Sequence, residues 1–220
     1  PNTITSIGSE AYYGCINLVA AALPTTLTSI SDGLFNGCKK LADFDYPTAI
    51  TTIGNSAFYG CSSLTIVDLS ECRLLTSIGN SAFDGCSKIE TINFPTSLTS
   101  IGISTFRGCR SLIEMSVPTM TPPTIADDSK PFEHVDNLAC VLSIPEESTI
   151  DYLIAQYWGA FVSISEKEEI NIEIDTENDD ENGGNNGNGN GNGHDKHGCD
   201  VNYHKGGSHN PNKIPGMYNA

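Results

Sequence analysis

Apolar residues recur along this chain at a fixed interval. Isoleucine stands at Ile7, Ile30, Ile53, Ile78 and Ile101, and an aromatic residue follows five positions later at Tyr12, Phe35, Phe58, Phe83 and Phe106. A Gly-Cys pair comes next: Gly14-Cys15, Gly37-Cys38, Gly60-Cys61, Gly85-Cys86 and Gly108-Cys109. Three residues beyond each Cys lies Leu18, Leu41, Leu64, Ile89 or Leu112. The step is 23 residues, with one step of 25 between Ile53 and Ile78. A fixed period in this range denotes a solenoid, and it outranks residue-by-residue assignment of helix or strand.

Within a copy, large or β-branched residues alternate after the Leu, as in Val67 and Leu69, Ile92 and Phe94, or Met115 and Val117. Period-two alternation predicts a short strand with one buried face. Pro24, Pro47, Pro95 and Pro118 end these strands, with Ser70 in that place in the third copy, because Pro has no N–H for a ladder. A second extended piece follows, such as Leu98-Thr99-Ser100-Ile101. The Ala-Phe-x-Gly-Cys segment is expected to make one tight helical turn. One such coil cannot bury its apolar residues alone, so neighbouring coils must share them and the ends need caps.

The string I-G-x-x-A-F-x-G-C-x-x-L-x-x-[IV]-x-[LIF]-P resembles the BspA-like leucine-rich repeats of bacterial cell-surface proteins, and Ile78 to Pro95 fits it nearly throughout. The resemblance implies a leucine-rich-repeat solenoid of the α/β horseshoe class, β-dominated with short helical turns. It also implies an extracellular or bacterial cell-surface location and a part in adhesion or recognition. On this reading residues 1–118 hold five repeats. Residues 119–165 hold a degenerate sixth repeat and a C-terminal cap, and residues 166–220 form a disordered tail. Pro1 is in phase with Pro24 and Pro47, so a cap or further repeats are expected before it, with any leader already removed.

In the sixth repeat Phe132 precedes Leu138 as Phe106 precedes Leu112, and Val135 takes the Cys position. Leu138 to Pro145 is one residue longer than the usual interval, which predicts a bulge or slipped strand. Residues 147–158 then read as one amphipathic helix. Ser148 with Asp151 marks its start, and Ile150, Leu153, Ile154, Tyr157 and Trp158 share one face at helical spacing. That face is expected to lie over the open end of the stack, continued by Phe161, Val162 and Ile164.

Composition changes the picture mainly beyond residue 165. Glu166 to Glu181 carries nine carboxylates, with Ile170, Ile172 and Ile174 alternating among them, and an Asn/Gly tract follows from Gly183 to Gly193. Such a tract has nothing to bury and reads as a linker. His194, His197, Cys199, His204 and His209 supply metal-ligand residue types. Their spacing matches no recognised zinc pattern, so no metal or other cofactor is expected. The formal net charge is −16. That argues against a nucleic-acid partner, and no run of residues is apolar enough for a transmembrane segment.

The five repeat cysteines read as a column of small buried reduced thiols. The repeats before the cap contain no histidine, and no nucleophile-base motif occurs, so no enzyme is expected. The outward strand positions include Asp43, Asp45, Thr65, Ile66, Asp68, Glu90, Thr91, Asn93 and Glu114. Side by side they form a ribbon, which in a leucine-rich-repeat superhelix lines the concave side. These observations together suggest a non-catalytic, monomeric recognition module for a protein ligand such as a host matrix or cell-surface protein. The alternative is a structural spacer presenting another domain.

Overall fold

The periodic apolar positions become interior columns because every coil repeats the same backbone path one strand-width above the last. The computed structural model describes residues 3–125 and 130–161. Each of the first five coils contributes a three-residue strand and then a two-residue strand. The three-residue strands are β1 (Ala20–Ala22), β3 (Asp43–Asp45), β5 (Ile66–Asp68), β7 (Thr91–Asn93) and β9 (Glu114–Ser116). The two-residue strands are β2 (Ser29–Ile30), β4 (Thr52–Ile53), β6 (Ser77–Ile78), β8 (Ser100–Ile101) and β10 (Thr124–Ile125). β11 (Val141–Ser143) is the three-residue strand of the degenerate sixth coil. All pairing is parallel. The short strands make one sheet in the order β10-β8-β6-β4-β2. The longer strands divide into β1-β3 and β11-β9-β7-β5. The division falls beside the bulkiest inward pair of its column, Phe44 and Tyr46.

Between the sheets runs a stack of rings. Phe58 and Phe83 lie 5.1 Å apart and 2° from parallel, and Phe83 and Phe106 lie 5.5 Å apart and 6° from parallel. Tyr12 extends the stack at one end and Phe132 at the other. Offset stacking of this kind adds to the burial of the rings. The cysteine column lies beside it. Each thiol donates to the carbonyl of the aromatic residue one coil back: Cys38 to Tyr12, Cys61 to Phe35, Cys86 to Phe58 and Cys109 to Phe83, at 3.0–3.4 Å. These four thiols and that of Cys72 are buried and unbridged. Cys140 is buried too, while Cys15 is exposed.

Side chains also tie the coils together at the turns. Asp32 Oδ1 accepts the Asn55 N–H, Asn55 Oδ1 the Asn80 N–H and Asn80 Oδ1 the Ile103 N–H, at 2.6–2.8 Å. Glycine is required beside this ladder: a Cβ on Gly79 would meet the Asn55 backbone nitrogen at 2.7 Å. At or just before the two-residue strands, the Thr51, Thr76, Thr99 and Thr124 hydroxyls each donate to the threonine carbonyl of the preceding coil. On the aromatic side Arg107 donates two hydrogen bonds to the buried Asp84 carboxylate, at 2.6 and 3.0 Å.

The structure corrects several expectations. The Ala-Phe-x-Gly-Cys segments are successive hydrogen-bonded turns rather than a helical turn. The residue three after each Ile (Glu10, Gly33, Ser56, Ser81 or Ser104) has positive φ, and so has each repeat Gly before Cys. A helix cannot pass through two left-handed residues. In the third copy Ser70 does not replace the proline. Cys72 occupies that place, since Leu75 N donates to the Cys72 carbonyl as Ile50 N does to that of Pro47. Ser70 and Glu71 are therefore the two inserted residues.

Val135 holds the Cys position, its N–H donating to the Phe132 carbonyl. Leu138, however, is 76% exposed, and Cys140 is buried in its stead. The extra residue anticipated here has moved the leucine out of its column. The single helix over 147–158 is shorter: a 3-10 turn at Glu146–Ser148, α1 at Thr149–Ile154, and a second 3-10 turn at Trp158–Ala160. Tyr157, with φ of 70°, separates the last two. Ser148 gives no side-chain cap; its hydroxyl donates back to the Pro145 carbonyl.

The predicted buried face of this helix is also wrong in part. Ile150, Leu153 and Ile154 are exposed, and Tyr152 and Trp158 are buried. The polar groups of the two aromatics decide this. The Tyr152 hydroxyl lies 2.7 Å from Thr119 Oγ1, and Trp158 Nε1 donates to the Pro123 carbonyl at 3.0 Å. Trp158 and Phe161 meet Phe132 edge-on and close the ring stack. Trp158→Ala is expected to cost about 3 kcal/mol, the low end for a buried Trp, because an end coil relaxes more freely than an inner one. A urea titration checks it.

Candidate functional site: the face of the three-residue strands

The strands that carry the candidate residues point one side chain inward and two outward. The inward members Val67, Ile92, Met115 and Leu142 are buried, and this anchoring fixes the outward ones in register. Thr91 lies between Ile66 and Glu114, and Glu114 is followed by Val141. Asn93 lies between Asp68 and Ser116, and Ser116 is followed by Ser143. On the separate pair, Asp43 stands beside Ala20 and Asp45 beside Ala22. Neighbouring members of a column are therefore about 4.8 Å apart.

Asp43, Asp45, Thr65, Ile66, Asp68, Glu90 and Glu114 are exposed, and Thr91 and Asn93 are half-buried. All nine predicted residues lie on the strand face or immediately before a strand. Not all are equally free. Asp68 Oδ1 accepts the Ser70 N–H at 3.1 Å and so closes the turn into the insertion. The carboxylates of β5 and β9 do not face other carboxylates across the ladder: Asp68 is beside Asn93, and Glu114 is between Thr91 and Val141. Like charges directly opposite would destabilise the sheet.

Two features of the face are not evident from the repeat pattern. Val141 and Ser143 extend the columns, hidden by the one-residue slip before β11. A rim of exposed cations, Lys39, Lys40, Lys88 and Arg110, lies in the turns that lead from Cys to strand. Tabulating charge by repeat position would find it, since all four fall one or two residues after a column Cys. The face thus presents carboxylates and exposed aliphatic side chains, Ile66 and Ile113 among them, bordered by positive charge. Nothing in this arrangement orients a base against a nucleophile.

Among the described residues no group of three or more His, Cys, Asp or Glu is placed to hold a metal ion. His194, His197, Cys199, His204 and His209 lie outside the described residues, as do the acidic run and the Asn/Gly tract. No described helix is long and apolar enough to cross a membrane.

Comparison with solved structures returns leucine-rich repeat proteins of bacteria. A leucine-rich repeat protein of T. pallidum is 27% identical, with a TM-score of 0.49 over 63% of this chain and 65% of that one. A leucine-rich repeat protein from Bacteroides ovatus is 28% identical, with a TM-score of 0.50 over 61% of this chain and 32% of that one. A leucine rich cell surface protein from Faecalibacterium prausnitzii is 19% identical, with a TM-score of 0.28 over 65% of this chain and 64% of that one. The matches thus span less than two thirds of each of these chains. No curated protein matches. The BspA type leucine rich repeat region matches residues 1–113 in six copies, which makes the chain an interaction or structural module. The ring stack, the thiol column and the parallel ladders are the physical form of that repeat, and the chain belongs to the BspA-type leucine-rich-repeat family.

Proposed function

We propose that this protein is a non-catalytic recognition module, secreted or held at the bacterial surface, that binds a protein ligand through the face of its three-residue strands. The observation that carries this reading is the pair of in-register outward columns on a rigid, buried foundation. A stacked ladder holds its exposed side chains at fixed spacing, so little ordering entropy is lost when a partner docks. The exposed aliphatic residues supply area to desolvate. The carboxylates, bordered by the cationic rim, favour a partner that presents basic groups centrally and acidic groups at its edge, and this complementarity acts on encounter rate and specificity. The surface location rests on the resemblance to bacterial cell-surface repeat proteins.

The test uses the full chain and an Asp43→Lys/Asp45→Lys/Glu114→Lys variant as baits for extracellular-matrix and cell-surface protein extracts. Asp68 is left intact because it also closes a turn. Wild-type capture that weakens with added salt, and is lost in a variant that retains its circular dichroism and melting temperature, is the expected result. Equal capture by both would move recognition off this face. No capture by either folded protein would leave the spacer reading.

A further inference from the structure

The face of the three-residue strands is broken between β3 and β5, which belong to separate sheets. Two series of backbone hydrogen bonds cross this face elsewhere. The residue before a strand donates its N–H one coil back: Ala42 to Val19, Glu90 to Thr65 and Ile113 to Glu90. The second inward residue donates its N–H one coil forward: Leu69 to Asn93, Phe94 to Ser116 and Val117 to Ser143. The members due between β3 and β5, Thr65 to Ala42 and Tyr46 to Asp68, are not formed. On their other sides the same two coils are joined. β4 pairs with β6, Asn55 Oδ1 accepts the Asn80 N–H at 2.8 Å, and Phe58 stacks on Phe83 at 5.1 Å. The opening is a seam in one wall.

Two features place the seam there. Phe44 and Tyr46 bring two rings under β3, and both stay partly exposed, whereas Val67, Leu69, Ile92 and Phe94 of the next two coils are buried. The Tyr46 hydroxyl is buried with no hydrogen-bond partner, so the packing beneath β3 is not fully satisfied. The second feature is charge. Asp45 and Asp68 each lie seven residues after a column Cys, so a closed ladder would set these two carboxylates directly opposite. Like charges so placed destabilise a sheet. The Ser70 N–H donates to Asp68 Oδ1 and holds that carboxylate where it is.

We propose that the seam is a joint. Coils 1–2 and coils 3–6 open and close there about the β4–β6 wall, and repulsion between Asp45 and Asp68 biases the joint open. Each block keeps its own outward columns in register. A basic group seated between the two carboxylates reverses the bias. On the reading of the face given above, a docking partner therefore closes the joint.

Amide hydrogen exchange and relaxation dispersion, followed by NMR on the full chain without ligand, test the joint separately from any binding by the face. The Thr65 and Tyr46 amides are expected to exchange at least about a hundredfold faster than those of Glu90 and Leu69. β3 and β5 are expected to show microsecond-to-millisecond motion that β7 lacks. Asp45→Asn is expected to slow Thr65 and Tyr46 exchange by more than about tenfold. Asp45→Lys, which sets an ammonium opposite Asp68, is expected to slow it further, with Val117 equally protected in all three proteins. Thr65 and Tyr46 amides as slow as Leu69 in the wild type would overturn the proposal, as would the absence of that motion. Equal exchange in the wild type and both variants would also overturn it, and would make the seam a fixed gap set by the two rings.

Discussion

Phe83→Ala is expected to lower the unfolding free energy by about 3–5 kcal/mol, the range for removing a buried Phe. Phe83 is fully buried and stacks on both faces, against Phe58 and Phe106. The loss therefore falls on two coil interfaces at once. A solenoid holds its coils by nearest-neighbour terms, so this cut divides the stack near its middle. Denaturant unfolding should show a lower midpoint, and also a reduced slope if the two halves come apart separately. Tyr12→Ala, at an end with one stacked neighbour and partial exposure, should cost much less. Equal losses at the two positions would contradict nearest-neighbour coupling.

Stability is expected to fall steeply above pH 9. Burial pushes the Cys61 thiol up to about 12 and those of Cys72 and Cys140 up to about 11, from an ordinary value of 9.0. It raises Cys86 and Cys109 as well. These groups hold their protons longer folded than unfolded. Their contribution is thus complete below about pH 9 and is lost as pH rises through 11 and 12. At pH 11 the expected loss is about 1–3 kcal/mol for each thiol that stays neutral in the fold. Urea midpoints at pH 7, 9 and 11 measure it, and replacing Cys61 with Ala should reduce the slope. The same burial predicts that at pH 8 a thiol reagent modifies Cys15 at once and the column cysteines only on unfolding.

What is legible in the sequence follows from where its information repeats. Ile, Phe, Cys and Leu recur in register, so the solenoid, its interior columns and the outward phase of the strands can be read from the residues alone. Each of those readings rests on several copies agreeing. Apart from the helical turn expected of the Ala-Phe-x-Gly-Cys segment, the errors lie where the chain stops repeating. Counting from Phe132 places Leu138 in its column, but with one extra residue before β11 Leu138 is exposed and Cys140 is the buried residue there. Helical spacing in the cap puts Ile150, Leu153 and Ile154 inside. There the Tyr152 hydroxyl and Trp158 indole N–H have hydrogen-bond partners at Thr119 and Pro123, and periodicity contains no term for such partners. The insertion after Leu69 misleads for a similar reason: only the turn hydrogen bond to Cys72 shows which two residues are extra. The face itself follows from phase alone. Its cationic rim does not, because it sits in turns, outside the strand pattern.

The claim that the strand face is where this protein acts is tested most directly by a protection footprint. The full chain, alone and bound to a protein captured through it, would be compared by hydrogen–deuterium exchange and carboxylate labelling. The account predicts that Asp43, Asp45, Glu90 and Glu114 become shielded, with peptides covering β3, β5, β7 and β9, while the aromatic-side turns around Tyr59 and Arg107 stay unchanged. Shielding of those turns with the four carboxylates still fully labelled would contradict it.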